Sequence, residues 1–231
     1  MSIQAQTHLE TLFILDGRGR IVSTREPKPS PGPEFALIRR ADSCAWALGG
    51  EIREEQAKEI TRLALDEQPT SDFRLPPKHL EEYGKLIGDE FYFGPAFEFP
   101  KHIPSFEGAA LIRDIEHLRG SFNGWTADEL PDRSPIMAIV EDGMPISICF
   151  CARVSELVAE AGVETAPEFR GRGAAGLATA AWATAIQESG RTPIYSTSWS
   201  NDPSLAVARK LGLVACASYW NLLAKADMRA S

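Results

Sequence analysis

Four cysteines in 231 residues are too few to staple a chain of this length, because disulfide-dependent scaffolds are short and cysteine-dense. Long apolar runs are missing too: none approaches the roughly 20 residues of a membrane-spanning helix. Met1–Gln6 shows no basic stretch followed by an apolar one, so a secretory leader is not expected. Basic residues are outnumbered, 24 Lys plus Arg against 32 Asp plus Glu, for a formal charge of −8. That balance argues against binding nucleic acid by general charge. The histidines, His8, His79, His102 and His117, lack metal-ligand spacing, and Cys149-x-Cys151 has no second pair. A metal is therefore not expected, and the two cysteines read as buried apolar residues. No Gly-x-Ser-x-Gly elbow occurs. The rest of the composition is ordinary: 44% hydrophobic residues, enough for a core that removes about 70% of the unfolded surface from water. The expectation is a globular, cytoplasmic protein without membrane or nucleic-acid partners.

The charge is unevenly spread. Residues 170–231 carry a net +4 and leave −12 on residues 1–169. A basic end on an acidic chain suits an anionic ligand, and chance explains the split equally well.

Along the chain, Thr11–Thr24 reads as a hairpin around Asp16-Gly17-Arg18-Gly19. Pro27, Pro29, Pro31 and Pro33 then forbid a helix and make a stiff connector. Phe35–Arg40 and Cys44–Leu48 read as strands, and Glu51–Asp66 as an amphipathic helix. A second helix carries Leu80, Tyr83 and Ile87 and stops at Gly88. Residues 1–88 thus form a small α+β module. From residue 89 the pattern predicts a strand in Phe91–Phe99, then a helix over Ser105–Arg119 with Leu111, Ile115 and Leu118 on one side. A capping box at Thr126–Glu129 starts a short helix ending at Pro131. A hairpin turns at Glu141–Met144, and Leu157–Thr165 is a strand. Ala174–Glu188 holds seven alanines, the best helix formers. Ile194–Trp199 reads as a strand, Pro203–Leu211 as a helix, and Leu213–Leu223 as one or two strands.

Gly171-Arg172-Gly173-Ala174-Ala175-Gly176 spells the Gly-x-Gly-x-x-Gly dinucleotide fingerprint. Its context does not suit that reading. Pro167–Arg170 separate it from the preceding strand, Asp202 lies 31 residues beyond Gly171, and antiparallel hairpins precede it. No Gly-Lys-Ser/Thr follows, which removes the nucleotide-hydrolase loop. Two readings stay open. One is a glycine-rich turn with no ligand. The other is a backbone cradle for an anion at a helix start, where free N–H groups converge. The dipole adds only about 0.3–1 kcal/mol, so several amides must share the anion, as a pyrophosphate allows.

The run Val163-Glu164-Thr165-Ala166-Pro167-Glu168-Phe169-Arg170-Gly171-Arg172-Gly173-Ala174-Ala175 resembles the acetyl-coenzyme A signature of the GNAT N-acetyltransferases, [RQ]-x-x-G-x-[GA], at Arg170, Gly173 and Ala175. Asn201-Asp202-Pro203-Ser204 through Lys210-Leu211-Gly212-Leu213 is similar to the second motif of that superfamily, with Leu213 for its final Phe. Glu160–Thr165 and Trp199–Asn201 further resemble a zwittermicin-resistance-like branch. The resemblance implies a GNAT fold over residues 89–231, a mixed and mostly antiparallel sheet, beside the N-terminal module. It also implies acetyl-coenzyme A as cosubstrate. Amides of Arg170, Gly171, Arg172, Gly173, Ala174 and Ala175 would take its pyrophosphate, Val163, Glu164 and Thr165 would pair with its pantetheine, and Asn201 and Ser204 would bind it near splayed strands.

The implied reaction is acetyl transfer to a primary amine of a small molecule or peptide, by a monomer or homodimer. An alkylamine is only about 0.1% neutral near pH 7.4, a handicap of about 4 kcal/mol, which a carboxylate base relieves. Glu160 and Glu164 lie four apart on one strand and so share a face. Glu160 is nearer the family's usual base position and is therefore the first expectation for the base, and each reads equally as a solvated strand acid. The family's tyrosine, which protonates the leaving thiolate, falls at Ala208. Tyr195 and Tyr219 are possible substitutes, and Trp125 with the aromatics of residues 91–99 could wall an acceptor pocket or simply pack. The lost tyrosine keeps a second reading open, a non-catalytic coenzyme A-binding or sensory protein.

Overall fold

The computed structural model describes residues 3–103 and 108–223. In chain order the elements begin with α1 Ala5–Leu12, β1 Phe13–Leu15, β2 Ile21–Thr24, β3 Phe35–Arg40 and β4 Cys44–Leu48. Next come α2 Glu54–Ala64, α3 Leu80–Leu86, β5 Phe91–Glu98, β6 Ala109–Ile112 and α4 Leu130–Arg133. The remainder is β7 Ile136–Glu141, β8 Met144–Val154, β9 Val158–Thr165, α5 Ala174–Glu188, β10 Thr192–Ser196, α6 Asp202–Lys210 and β11 Val214–Leu222. This is a mixed α+β fold in which antiparallel pairing predominates.

The chain forms two compact units. One comprises Phe97–Ser196 and Asn201–Val214; the other comprises the residues up to Ala96, Thr197–Ser200 and the residues from Ala215 onward. In the latter, strands run in the order β4-β3-β11-β5. Strand alternation sends Phe35 and Leu37 to a core with Ile60, Leu63, Tyr83 and Trp220. Ala36 and Ile38 point the other way, to Leu9, Leu12 and Tyr219. Because both faces are covered, β3 is buried along its whole length.

In the other unit the order is β10-β9-β8-β7-β6. Pairing is antiparallel from β6 to β9, and β9 runs parallel to β10. One face packs on α5, where Ala178, Trp182, Ala183 and Ile186 meet Cys149, Cys151 and Ala159. Small alanines let that helix lie close to the sheet, and Trp182 fills the remaining space. The opposite face carries Ile112, Leu118, Phe122, Ile136, Ile148 and Phe150. The parallel pair is short: Val158, Ala159 and Glu160 face Thr192, Pro193 and Ile194, and the ladder then ends. Beyond that rung β9 continues to Thr165, still paired with β8, and β10 to Ser196, without pairing with each other, so the two strands part.

Three expectations from the sequence are corrected. The helix over Ser105–Arg119 does not form: Ala109–Ile112 is a strand against β7, and Ile115–Leu118 is a single 3-10 turn. Leu111, Ile115 and Leu118 mimic helical spacing, yet Asp114 caps a new turn by accepting from the Glu116 amide at 3.0 Å. Ser105, Phe106 and Glu107 lie outside the described residues. Pro131 does not end the helix after the capping box; it sits in the first turn of α4, where its missing N–H costs nothing. Finally, Thr11 and Leu12 belong to α1, so the hairpin starts at Phe13. An eight-residue helix gives little periodic signal, and tertiary burial of Leu9 and Leu12 supplies its stability.

Burial raises both thiols of β8, Cys149 well above its ordinary value and Cys151 to about 11. From pH 9 upward the unfolded chain therefore gives up protons that the folded chain keeps, and stability falls as pH rises. Cys151 alone should cost about 2 kcal/mol between pH about 8 and about 10.5. Urea midpoints at those two pH values should converge in Cys151→Ala relative to the parent. An equal slope in both proteins would contradict the burial argument.

Candidate functional site

The turn between β9 and α5 is built from glycine where glycine is required. Gly171 has φ +77° and Gly173 φ +91°, a left-handed region that side chains strain to enter. Gly173 is also the N-cap of α5 and supplies no side-chain cap. The first amides satisfied beyond the turn are those of Gly176 and Leu177, which donate to the Gly173 carbonyl at 3.1 and 3.4 Å. The N–H groups of Gly171, Arg172, Gly173, Ala174 and Ala175 find no acceptor among the described residues. Five consecutive donors at the positive end of a 15-residue helix form an anion cradle.

The cradle opens into a cavity of about 710 Å³, within the range of pockets that enclose small ligands. Its walls come from the free end of β9, the glycine turn, Tyr195 of β10, one side of α6 and the segment Ser121–Gly124. Of the residues expected to bind a cofactor, Val163, Glu164, Thr165, Arg170, Gly171, Gly173, Ala174, Ala175 and Ser204 all line it. Two do not. The Arg172 side chain lies over the Phe169 ring at 4.8 Å and 3.6 Å from Glu141. Asn201 uses its Oδ1 to cap α6, accepting from the Ser204 amide at 3.2 Å. Arg170 and Lys210 are the cations on the wall, and Glu164 is its one acid among the described residues.

The two carboxylates singled out in the sequence occupy different surroundings. Glu160 stands on the last paired rung of β9 and β10, 2% exposed. Arg153 and Ser196 both bond its carboxylate, and it is not among the cavity-lining residues. Glu164 lines the cavity and accepts from Trp125 Nε1 at 3.2 Å. Tyr195 also lines the cavity, with its hydroxyl donating to the Ser204 carbonyl at 3.4 Å. Burial holds its phenol above the ordinary value. Ala208 is buried in α6, and Tyr219 packs on Tyr92 in the core of its own unit.

Lys210 and the Ser121–Gly124 wall were not anticipated as site residues. Asn123-Gly124 is a turn dipeptide, and Asn123 does close a turn by accepting from the Gly120 amide at 3.0 Å. That signal gives a loop but not its place on a cavity wall.

Residues 133–221 match the family described as GNAT acetyltransferase. Over that stretch, well under half of the chain, the sequence is similar to that family. Solved structures of similar fold include a putative GNAT-family acetyltransferase from Novosphingobium aromaticivorans, 20% identical, with TM-score 0.49. That match covers 59% of this chain and 66% of that one, just under two thirds of its length. A GNAT-family acetyltransferase from Colwellia psychrerythraea is 16% identical over 78% of this chain and 76% of its own, with TM-score 0.49. A GCN5-related N-acetyltransferase-like protein from Streptococcus suis is 17% identical over 82% and 84%, with TM-score 0.47. No curated protein matches the chain. GNAT acetyltransferases use acetyl-coenzyme A, and the cradle suits its pyrophosphate: five unmet amides, no side chain at the two glycines, and Arg170 alongside.

The protein should gain thermal stability with coenzyme A, since a ligand at 100 times its Kd adds about 2.7 kcal/mol. Gly173→Asp puts a carboxylate and a strained φ at the cradle and should abolish the shift in melting temperature. A shift of equal size in the variant would remove the anion from this turn.

Proposed function

We propose that this GNAT-type transferase moves an acetyl group from acetyl-coenzyme A directly onto a primary amine of a small molecule or peptide. The observation that carries the reading is one cavity that joins four of the five unmet amides, those of Gly171, Gly173, Ala174 and Ala175, to its single carboxylate among the described residues. The amides hold the anionic end of the thioester carrier, and Val163–Thr165, unpaired on the β10 side, offer a strand edge to its pantetheine. The acceptor amine arrives charged and must lose a proton before it can attack. Glu164, on the cavity wall, takes that proton in this account. Glu160 acts differently: its carboxylate ties Arg153 of β8 and Ser196 of β10 together where the strands part. The Tyr195 hydroxyl stays protonated at neutral pH and serves to protonate the departing thiolate in place of the hydroxyl missing at Ala208. The runs Glu160–Thr165 and Trp199–Asn201 favour a zwittermicin-resistance-like branch of the superfamily. Residues 1–88 are in this reading a small N-terminal α+β module apart from the cofactor cradle.

Ala208 also supports a second reading, in which coenzyme A binds without transfer. A panel of primary amines, scored by release of free thiol, separates the two. Given a turned-over amine, Glu164→Gln should lower the rate at neutral pH about 10²–10⁴-fold while leaving the cofactor-induced melting shift in place. Raising the pH should restore much of the rate, because solvent then supplies neutral amine. Glu160→Gln should lower the melting temperature more than the rate. The opposite pattern, rate lost in Glu160→Gln and kept in Glu164→Gln, would move the base to Glu160.

A further inference from the structure

Trp125 is held on several sides. Its ring meets Phe150 edge to face, with centroids 4.6 Å apart and planes at 87°. The Arg133 guanidinium carbon lies 5.1 Å from both ring centroids. Arg133 is itself anchored 3.1 Å from Glu129 Oε1, and Glu129 Oε2 accepts from the amide and hydroxyl of Thr126 at 3.1 and 2.8 Å. The capping box after Trp125 and the cation over its ring are thus one connected structure. Beneath it, Phe150 lies across Gly162, where a Cβ would come within 2.4 Å of the phenyl ring. Gly162 is therefore the residue that lets Phe150 lie flat against β9 and support the indole. The Trp125 amide donates to the Phe122 carbonyl at 3.3 Å, which joins it to the cavity wall.

With the ring fixed, its single polar atom points at one partner, Glu164 Oε2. The contrast with Glu160 is chemical. Glu160 is neutralised by a guanidinium, whereas Glu164 receives a neutral N–H and makes no ion pair among the described residues. A neutral donor fixes a carboxylate's rotamer without cancelling its charge, and leaves the second oxygen to a cationic partner. We propose that Trp125 is a positioning residue for transfer: its indole N–H holds Oε2 of Glu164 so that Oε1 faces the ammonium of the acceptor. The proposal rests on Glu164 being the proton acceptor and adds the group that aims it.

Two measurements test it. In ¹H–¹⁵N spectra, Glu164→Gln should move the Trp125 indole resonance, and Glu160→Gln should leave it within the linewidth. An unmoved resonance in Glu164→Gln would overturn the contact without any assay of transfer. In kinetics with a turned-over amine, Trp125→Phe keeps the ring and loses the N–H. Its kcat should fall about tenfold, with KM for acetyl-coenzyme A within about twofold of the parent. Adding Trp125→Phe to Glu164→Gln should cost no more than about threefold further, because the indole acts through the carboxylate. Additive losses would mark a merely structural tryptophan and overturn the proposal, as would an unchanged kcat in Trp125→Phe. Should that variant fail to fold, Trp125→Leu, which likewise has no side-chain donor, carries the same kinetic comparisons. If no amine is turned over by the parent, the transfer reading itself fails and the positioning role falls with it. That outcome is distinct from parent activity with an indifferent Trp125→Phe.

Discussion

Backbone N–H groups demand acceptors, and at one turn, Gly171 to Ala175, five in succession find none among the described residues. Much of the surrounding unit fixes that turn in place. Two left-handed glycines bend the chain sharply enough that the amides converge instead of pointing along a spiral. The helix behind them is pinned to the sheet by alanine faces and by Trp182, fully buried beside Cys149 and Cys151. A helix free to rotate or slide would scatter the donors. Packing at Ala178, Ala183 and Ile186 therefore bears on how those donors are held although none of these residues lines the cavity.

The same economy operates at the fork between β9 and β10. A parallel ladder of only three rungs would be expected to fray, and the last rung is where Glu160 binds Arg153 from β8 and Ser196 from β10. An ion pair at this depth is a poor source of net stability, because desolvating both charges offsets most of their attraction. Its value is geometric: it marks where pairing stops, and hence where the edge at Val163–Thr165 becomes available. Four residues on, Glu164 is bonded by an indole N–H and not by a cation. Two glutamates on one strand face thus acquire different tasks from their neighbours.

Local chemistry made much of this legible from the residues alone. The glycine turn, the alanine-rich helix and the helix over Pro203–Leu211 are encoded within a few residues each, and their boundaries agree closely with the structure. Elements whose identity depends on a distant partner were harder to read. Ala109–Ile112 is a strand only because β7 lies beside it, and α1 owes its stability to a core assembled from β3, β4 and β11. The same limit applies to the site. Nothing near Glu160 in sequence announces that Arg153 will neutralise it, since a β-bulge in β8 brings that arginine opposite. Nothing near Trp125 reveals Glu164, 39 residues later, as its acceptor.

The central claim is that the turn at the start of α5 is the anion-binding element of this protein. The most direct measurement tracks the backbone amide resonances of the ¹⁵N-labelled protein as coenzyme A is added. The account predicts that the largest shifts fall on Gly171, Arg172, Gly173, Ala174 and Ala175, in one common saturation curve with the Val163–Thr165 edge. Saturable binding that leaves those five amides unmoved would contradict it.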